Sequence, residues 1–171
     1  MSDLQAGPEL DAEIARRVFG IDVLGMAPCH HDPDGCDLSV GSRDGQDDVM
    51  RPVYLVDQLC SCQESIVRYP DNQIFFGHVQ WCLDPVQPYS TTWDGMGLVV
   101  ERMRELGACC FSLGNEYIPG AGKIDTWRAR FAMGDADAKD WVSAMNHSRV
   151  GTASAHIAPE AVCLAALVAL K

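Results

Sequence analysis

Ile124-Asp125-Thr126-Trp127-Arg128-Ala129-Arg130-Phe131-Ala132-Met133 alternates with a period of two. Trp127, Ala129, Phe131 and Met133 fall on one side, and Thr126, Arg128 and Arg130 on the other. That pattern is a strand with one apolar face and one cationic face. Upstream, Ala108 to Leu113 puts Cys109, Phe111 and Leu113 on one face. Pro119, Gly120 and Gly122 lie between the two stretches, so they read as an antiparallel hairpin.

Working outward, three helices are available to cover the sheet. Pro8 starts and Gly20 stops the first, over about 9–19, with Leu10, Ile14 and Val18 at helical spacing. The second runs over about 91–106, capped by Thr91 or Thr92 and ended by Gly107. Trp93, Met96, Val100, Met103 and Leu106 form its apolar stripe, and Glu101, Arg102, Arg104 and Glu105 face outward. Gly95 and Gly97 within one turn imply close approach of another backbone. The third runs over about 159–170 from Pro159, and Val162 to Leu170 is apolar nearly all round. Such a helix is either buried deeply or covered by another subunit, which makes a homo-oligomer an expectation.

The fold class expected is therefore α+β: an α/β sandwich with a largely antiparallel sheet packed by helices. Its expected core is Trp93, Met96, Val100, Phe111, Trp127, Phe131, Leu164 and Leu167. The 171 residues suit a single domain over 1–171, with a long irregular insertion at about 28–84. Within it, Pro52 to Leu59 and Asn72 to Trp81 read as short strands. Asp135 to Ala155 reads as a polar loop carrying Trp141.

Charge excludes two classes of partner. Thirteen basic residues against 24 acidic ones give a formal charge of −11. Duplex DNA or RNA and anionic membrane surfaces are thereby disfavoured, because both are bound by neutralising phosphate. The longest apolar run, Ala161 to Leu170, is about half of the ~20 residues a bilayer requires. The first residues carry no basic stretch followed by an apolar one, so a cytoplasmic protein with mostly reduced cysteines is expected.

Cysteine and histidine concentrate in the inserted stretch. Cys29-His30-His31-Asp32-Pro33-Asp34-Gly35-Cys36 is followed by Cys60-Ser61-Cys62 and Cys82. Thiolate and imidazole are zinc ligands, and a structural site wants four. Cys29, His31, Cys36, Cys60 and Cys62 are the candidates for a structural zinc. The spacing matches no common knuckle, so unligated thiols in a loop and strand are the favoured reading, with metal binding second and redox or disulfide chemistry third. The acidic groups Asp32/Asp34 and Asp44/Asp47/Asp48 miss the calcium-loop register and read as solvated loops. A cysteine–histidine pairing for catalysis has no local motif behind it, and the chain is expected not to be an enzyme.

A second constellation is cationic and aromatic. Tyr89, Ser90, Thr91 and Thr92 precede the second helix, where free N–H groups make an anion site. Arg128 and Arg130 project from one strand face, with Arg102, Arg104 and Arg149 as further candidates. Arginine outnumbers lysine ten to three, and its planar fork suits bidentate phosphate contact. With Trp141 to stack on a base, these residues predict a pocket for a small phosphorylated, nucleotide-like ligand.

Three blocks also carry a family resemblance. They are Tyr89-Ser90-Thr91-Thr92-Trp93 with Val99-Val100-Glu101-Arg102-Met103, Ala158 to Leu167, and Leu10 to Gly20. In that family's order, they resemble the phage αβα-sandwich domain family. Thr92 replaces the family's usual Asp, and His156-Ile157 replaces its usual acidic residue and Thr before Ala-Pro. The resemblance implies an α/β sandwich of phage or prophage origin. Together with the cationic constellation it leads to two expectations. One is a non-enzymatic binding protein, an anti-defence sponge that sequesters a small nucleotide immune signal in the infected cell. The other is a zinc-stapled structural or interaction module acting on a host protein.

Overall fold

The computed structural model describes residues 4–31, 38–40, 49–55, 66–68, 74–76, 83–116, 126–134 and 149–171. The chain divides into two compact units. Ile21–Gln87 forms one, and Met1–Gly20 with Pro88–Lys171 forms the other.

The discontinuous unit is the α+β fold expected. Helix α1 spans Pro8–Arg17 and buries Leu10 and Ile14, with Glu9 and Asp11 in its first turn and Arg16 and Arg17 in its last. Helix α2 spans Trp93–Glu105. Gly107, at φ 95°, makes the left-handed turn into strand β7, Ala108–Glu116. Strand β8 is Thr126–Met133 and strand β9 is Arg149–Ala155. The three strands form one antiparallel sheet in the order β7-β8-β9. The hairpin register sets Phe111 opposite Phe131 and Gly114 opposite Arg128. Helix α3, Ala158–Ala169, packs on β8 and β9, while α2 packs on α3 and β7 and α1 on α3.

The sheet face under α3 is identified by Gly151. A Cβ there would run into the Ala165 carbonyl and the Ala169 amide and stand 2.6 Å from the Ala169 Cβ. Gly151 pairs with Phe131, which is fully buried. Phe131, Ala129 and Trp127 thus share the helix-covered face, and Arg128 and Arg130 take the other. The apolar girth of α3 is covered within its own chain: nine of its twelve residues are buried.

Several expected positions differ. Trp93 is 59% exposed, and Leu106 also faces solvent. The inward residues of α2 are Gly95, Val99 and Met103: Met103 is buried as expected, while Gly95 and Val99 take the places of Met96 and Val100. The cause is Gly95, which lets the helix start press close to the preceding backbone: a Cβ there would lie 2.6 Å from the Pro88 carbonyl oxygen. Met96, Val100, Phe111, Trp127 and Leu164 are partly buried, while Phe131 and Leu167 are core. The polar loop expected at 135–155 contains β9. Its Thr152 and Ser154 alternate with Gly151, Ala153 and Ala155, a strand made by pairing and small residues rather than by bulky β-formers.

The other unit corrects the irregular insertion. It holds strands β1 (Val23–His31), β2 (Leu38–Val40), β3 (Val49–Leu55), β4 (Ile66–Arg68), β5 (Ile74–Phe76) and β6 (Leu83–Pro85). They form an antiparallel sheet β2-β1-β3-β6 and a β4-β5 hairpin. Gly25, Pro28 and Pro52 lie inside β1 and β3, and these residues argue against strand when read locally. Pairing between β1 and β3, with Met26 opposite Pro52, supplies what local propensity withholds. Ala27, Cys29, Val53 and Leu83 form a buried cluster, with Leu24 against it. Among the described residues, no helix is long and apolar enough to cross a membrane.

Candidate functional site

The Tyr89–Thr92 segment is occupied by the chain itself. Tyr89 is buried and stacks on Phe19 with ring centroids 4.7 Å apart. Ser90 is fully buried, and its backbone amide donates to the Asp11 carboxylate at 2.7 Å. The Ser90 Oγ accepts from the Gly7 amide at 2.9 Å. Thr92 caps α2: its Oγ1 accepts from the Gly95 amide at 3.1 Å and donates to the Pro88 carbonyl at 2.9 Å. Thr91 is exposed. The Glu160 carboxylate accepts from the Ala6 amide at 3.1 Å. Carboxylates of the protein thus fill amide donors at the starts of α1 and α2, where negative charge is stabilised. The nearby Cys163 thiol is pushed well above its ordinary value, first by burial and then by Asp11 and Glu160.

Arg128 and Arg130 lie elsewhere. They line an open groove of about 290 Å³ with Ser112, Leu113, Gly114 and Asn115. The strands explain the grouping, since Arg128 stands between Gly114 and Ser154, and Arg130 between Ser112 and Thr152. The Arg128 Nε–H donates to the Ser154 Oγ at 3.3 Å. Among the described residues, a Cβ at Gly114 would meet nothing within 4 Å.

Helix start and arginine pair were expected to converge, and the structure keeps them apart. Trp93, at the start of α2, touches Trp127 edge-on with centroids 5.9 Å apart. Trp127 is on the helix-covered face of β8, and the arginines are on the opposite one. Arg102 is also engaged: its Nε–H donates to the Val18 carbonyl at 3.2 Å, and it pairs with Glu105 at 2.7 Å. Arg104 and Arg149 are exposed, outside the groove lining.

Of the zinc candidates, Cys29 is buried in the apolar cluster of its unit, and its thiol lies 3.6 Å from the Ala27 carbonyl. His31 ends β1, in register with Leu38. Cys36, Cys60, Cys62, the acidic pairs of that stretch and Trp141 lie outside the described residues. No group of three or more His, Cys, Asp or Glu able to hold a metal occurs among the described residues.

Reading the strand alone located Arg128 and Arg130 but not Ser112, Gly114 or Ser154. The signal for these is the cross-strand register, which pairs each arginine with a residue on either side. No protein-family model, curated protein or solved structure matches the chain.

Proposed function

We propose that this chain is a non-catalytic binding protein of phage origin. It sequesters a small phosphorylated, nucleotide-like ligand in the cytoplasm of an infected cell. The observation that carries the reading is the groove beneath Arg128 and Arg130, two guanidinium groups presented by one strand face. At a net charge of −11 the protein repels anions at long range. Affinity therefore comes from short-range contact, which arginine supplies in bidentate form to phosphate. The Ser112 hydroxyl, on the same strand face as Arg130, suits a hydroxyl or phosphate oxygen of a nucleotide. The phage-domain resemblance supports the origin.

Calorimetric titration with cyclic dinucleotides, cyclic trinucleotides and ADP-ribose derivatives tests the reading, with chromatography of the recovered ligand. One member binds and returns unchanged. Arg128→Ala and Arg130→Ala each weaken it about tenfold or more, about 1.4 kcal/mol. Thr92→Ala leaves affinity intact and lowers stability by about 1 kcal/mol. No binding tighter than about 100 μM, or conversion of the ligand, overturns the proposal.

A further inference from the structure

We propose that strand β9 is a dimer interface, at which a second copy of this chain adds its own β9 and continues the sheet. Among the described residues, no strand pairs with the outer edge of β7 or of β9. An open edge is a template for another chain unless charge, proline or a bulge blunts it. The β7 edge has such a break, a register shift between Ala108 and Cys110. Strand β9 pairs with β8 from Arg149 to Ala155 without a shift. From Val150 to Ala155 it carries no charge and no proline. The β9 edge is therefore the unprotected one.

The helix beside it has a matching gap in its cover. Of the twelve residues of α3, the three not buried are Glu160, Leu164 and Val168. They recur every four positions and so form one stripe. Ile157, three positions before Glu160, extends it and is 40% exposed. Helix α3 sits over β9 at Gly151. Helix α2, packed on both α3 and β7, takes the flank toward β7. The uncovered stripe is what remains, beside the β9 edge.

The occupant is a second copy because the surface complements itself. Two β9 strands pair antiparallel about a two-fold axis through Thr152, normal to the sheet. Arg149 then stands opposite the partner's Ala155. The same axis keeps both α3 helices on one side of the joined sheet, stripe toward stripe. Arg149 is exposed and lies two residues before Gly151, so it belongs to the helix-covered face. Just beyond the partner's Ala155 the chain enters α3, where Glu160 is the one acid of the open stripe. Each arginine thus comes to the end of the contact where the other copy's Glu160 stands. Leu164 and Val168 supply the apolar part along the helices. Two copies of net charge −11 repel at long range, and a pair of opposite charges at each end offsets this locally.

Light scattering of the full chain during size-exclusion chromatography is the test. The wild type is a dimer at about 100 μM. Leu164→Glu, Arg149→Glu and Glu160→Lys each raise the dissociation constant at least about tenfold, with far-UV spectra unchanged. An equimolar mixture of Arg149→Glu and Glu160→Lys chains forms the dimer again, because every pair across that interface is opposite in sign. In the wild type, amide hydrogen exchange over 149–155 slows as protein concentration rises. A wild type that is monomeric at about 100 μM overturns the proposal. It is overturned equally by a dimer that survives in folded Leu164→Glu and Arg149→Glu chains, by a mixture that stays monomeric, or by exchange over 149–155 that ignores concentration.

Discussion

The carboxylate of Asp11 accepts a 2.7 Å hydrogen bond from the backbone amide of Ser90, 79 residues along the chain. Both residues are buried, Asp11 at 2% exposure and Ser90 at 0%. Removing the acceptor leaves an N–H in a site that water does not reach. Asp11→Ala is expected to lower stability by about 1–3 kcal/mol, and Asp11→Asn by less, since an amide oxygen still accepts. Urea denaturation of the two variants measures the difference. Equal losses would mean the contact contributes through packing rather than through the hydrogen bond.

Gly95 and Gly97 lie in one turn of α2 and are expected to respond in opposite directions. A Cβ at Gly95 would stand 2.6 Å from the Pro88 carbonyl oxygen and 2.8 Å from the Tyr89 Cα, both backbone atoms. Gly95→Ala therefore destabilises, by about 1–3 kcal/mol. A Cβ at Gly97 would meet nothing within 4 Å. Gly97→Ala should stabilise the helix by about 0.5–1 kcal/mol. Thermal melts of the pair decide, and a shift of the same sign in both would refute the packing described.

Phe131 is fully buried, tilted against Phe111 with ring centroids 4.9 Å apart. Phe131→Ala is expected to cost about 3–5 kcal/mol. A loss under about 1 kcal/mol in chemical denaturation would place the core on the other face of β8.

Burial, Asp11 and Glu160 hold the Cys163 thiol well above its ordinary value in the folded chain. The unfolded thiol ionises first as pH rises past about 8.5, so the stability tied to the neutral thiol is full below that point. It is lost as pH rises from there toward the folded value, at up to about 1.4 kcal/mol per pH unit. Cys163→Ala should flatten this alkaline decline in denaturation curves taken from pH 7 to 10. An unchanged slope would assign the decline to another group.

Strand β8 was legible because its alternation is long and each face has its own chemistry. Helix α2 was legible in extent but not in facing. An inward glycine adds nothing to an apolar stripe, whereas Trp93 dominates one, so the pattern puts Met96 and Val100 where Gly95 and Val99 belong. Strands β1 and β3 were hidden by Gly25, Pro28 and Pro52, whose strand state depends on a partner more than 20 positions away. The arginine pair of the candidate site could be read from spacing alone. Its separation from the start of α2 could not, since alternation divides a strand into two faces without saying which one a helix will cover.

The stacked rings of Phe19 and Tyr89, 4.7 Å apart, have a consequence for how this architecture can be altered. They stand just outside the two ends of the Ile21–Gln87 unit, so the chain leaves and re-enters the helical scaffold at neighbouring points. A segment attached through adjacent ends is exchangeable in principle. A short flexible linker, or an unrelated module whose own termini lie close together, spans the same gap without pulling α1 from its place. Such a replacement is expected to leave the helical scaffold folded, with the Phe19–Tyr89 stack intact.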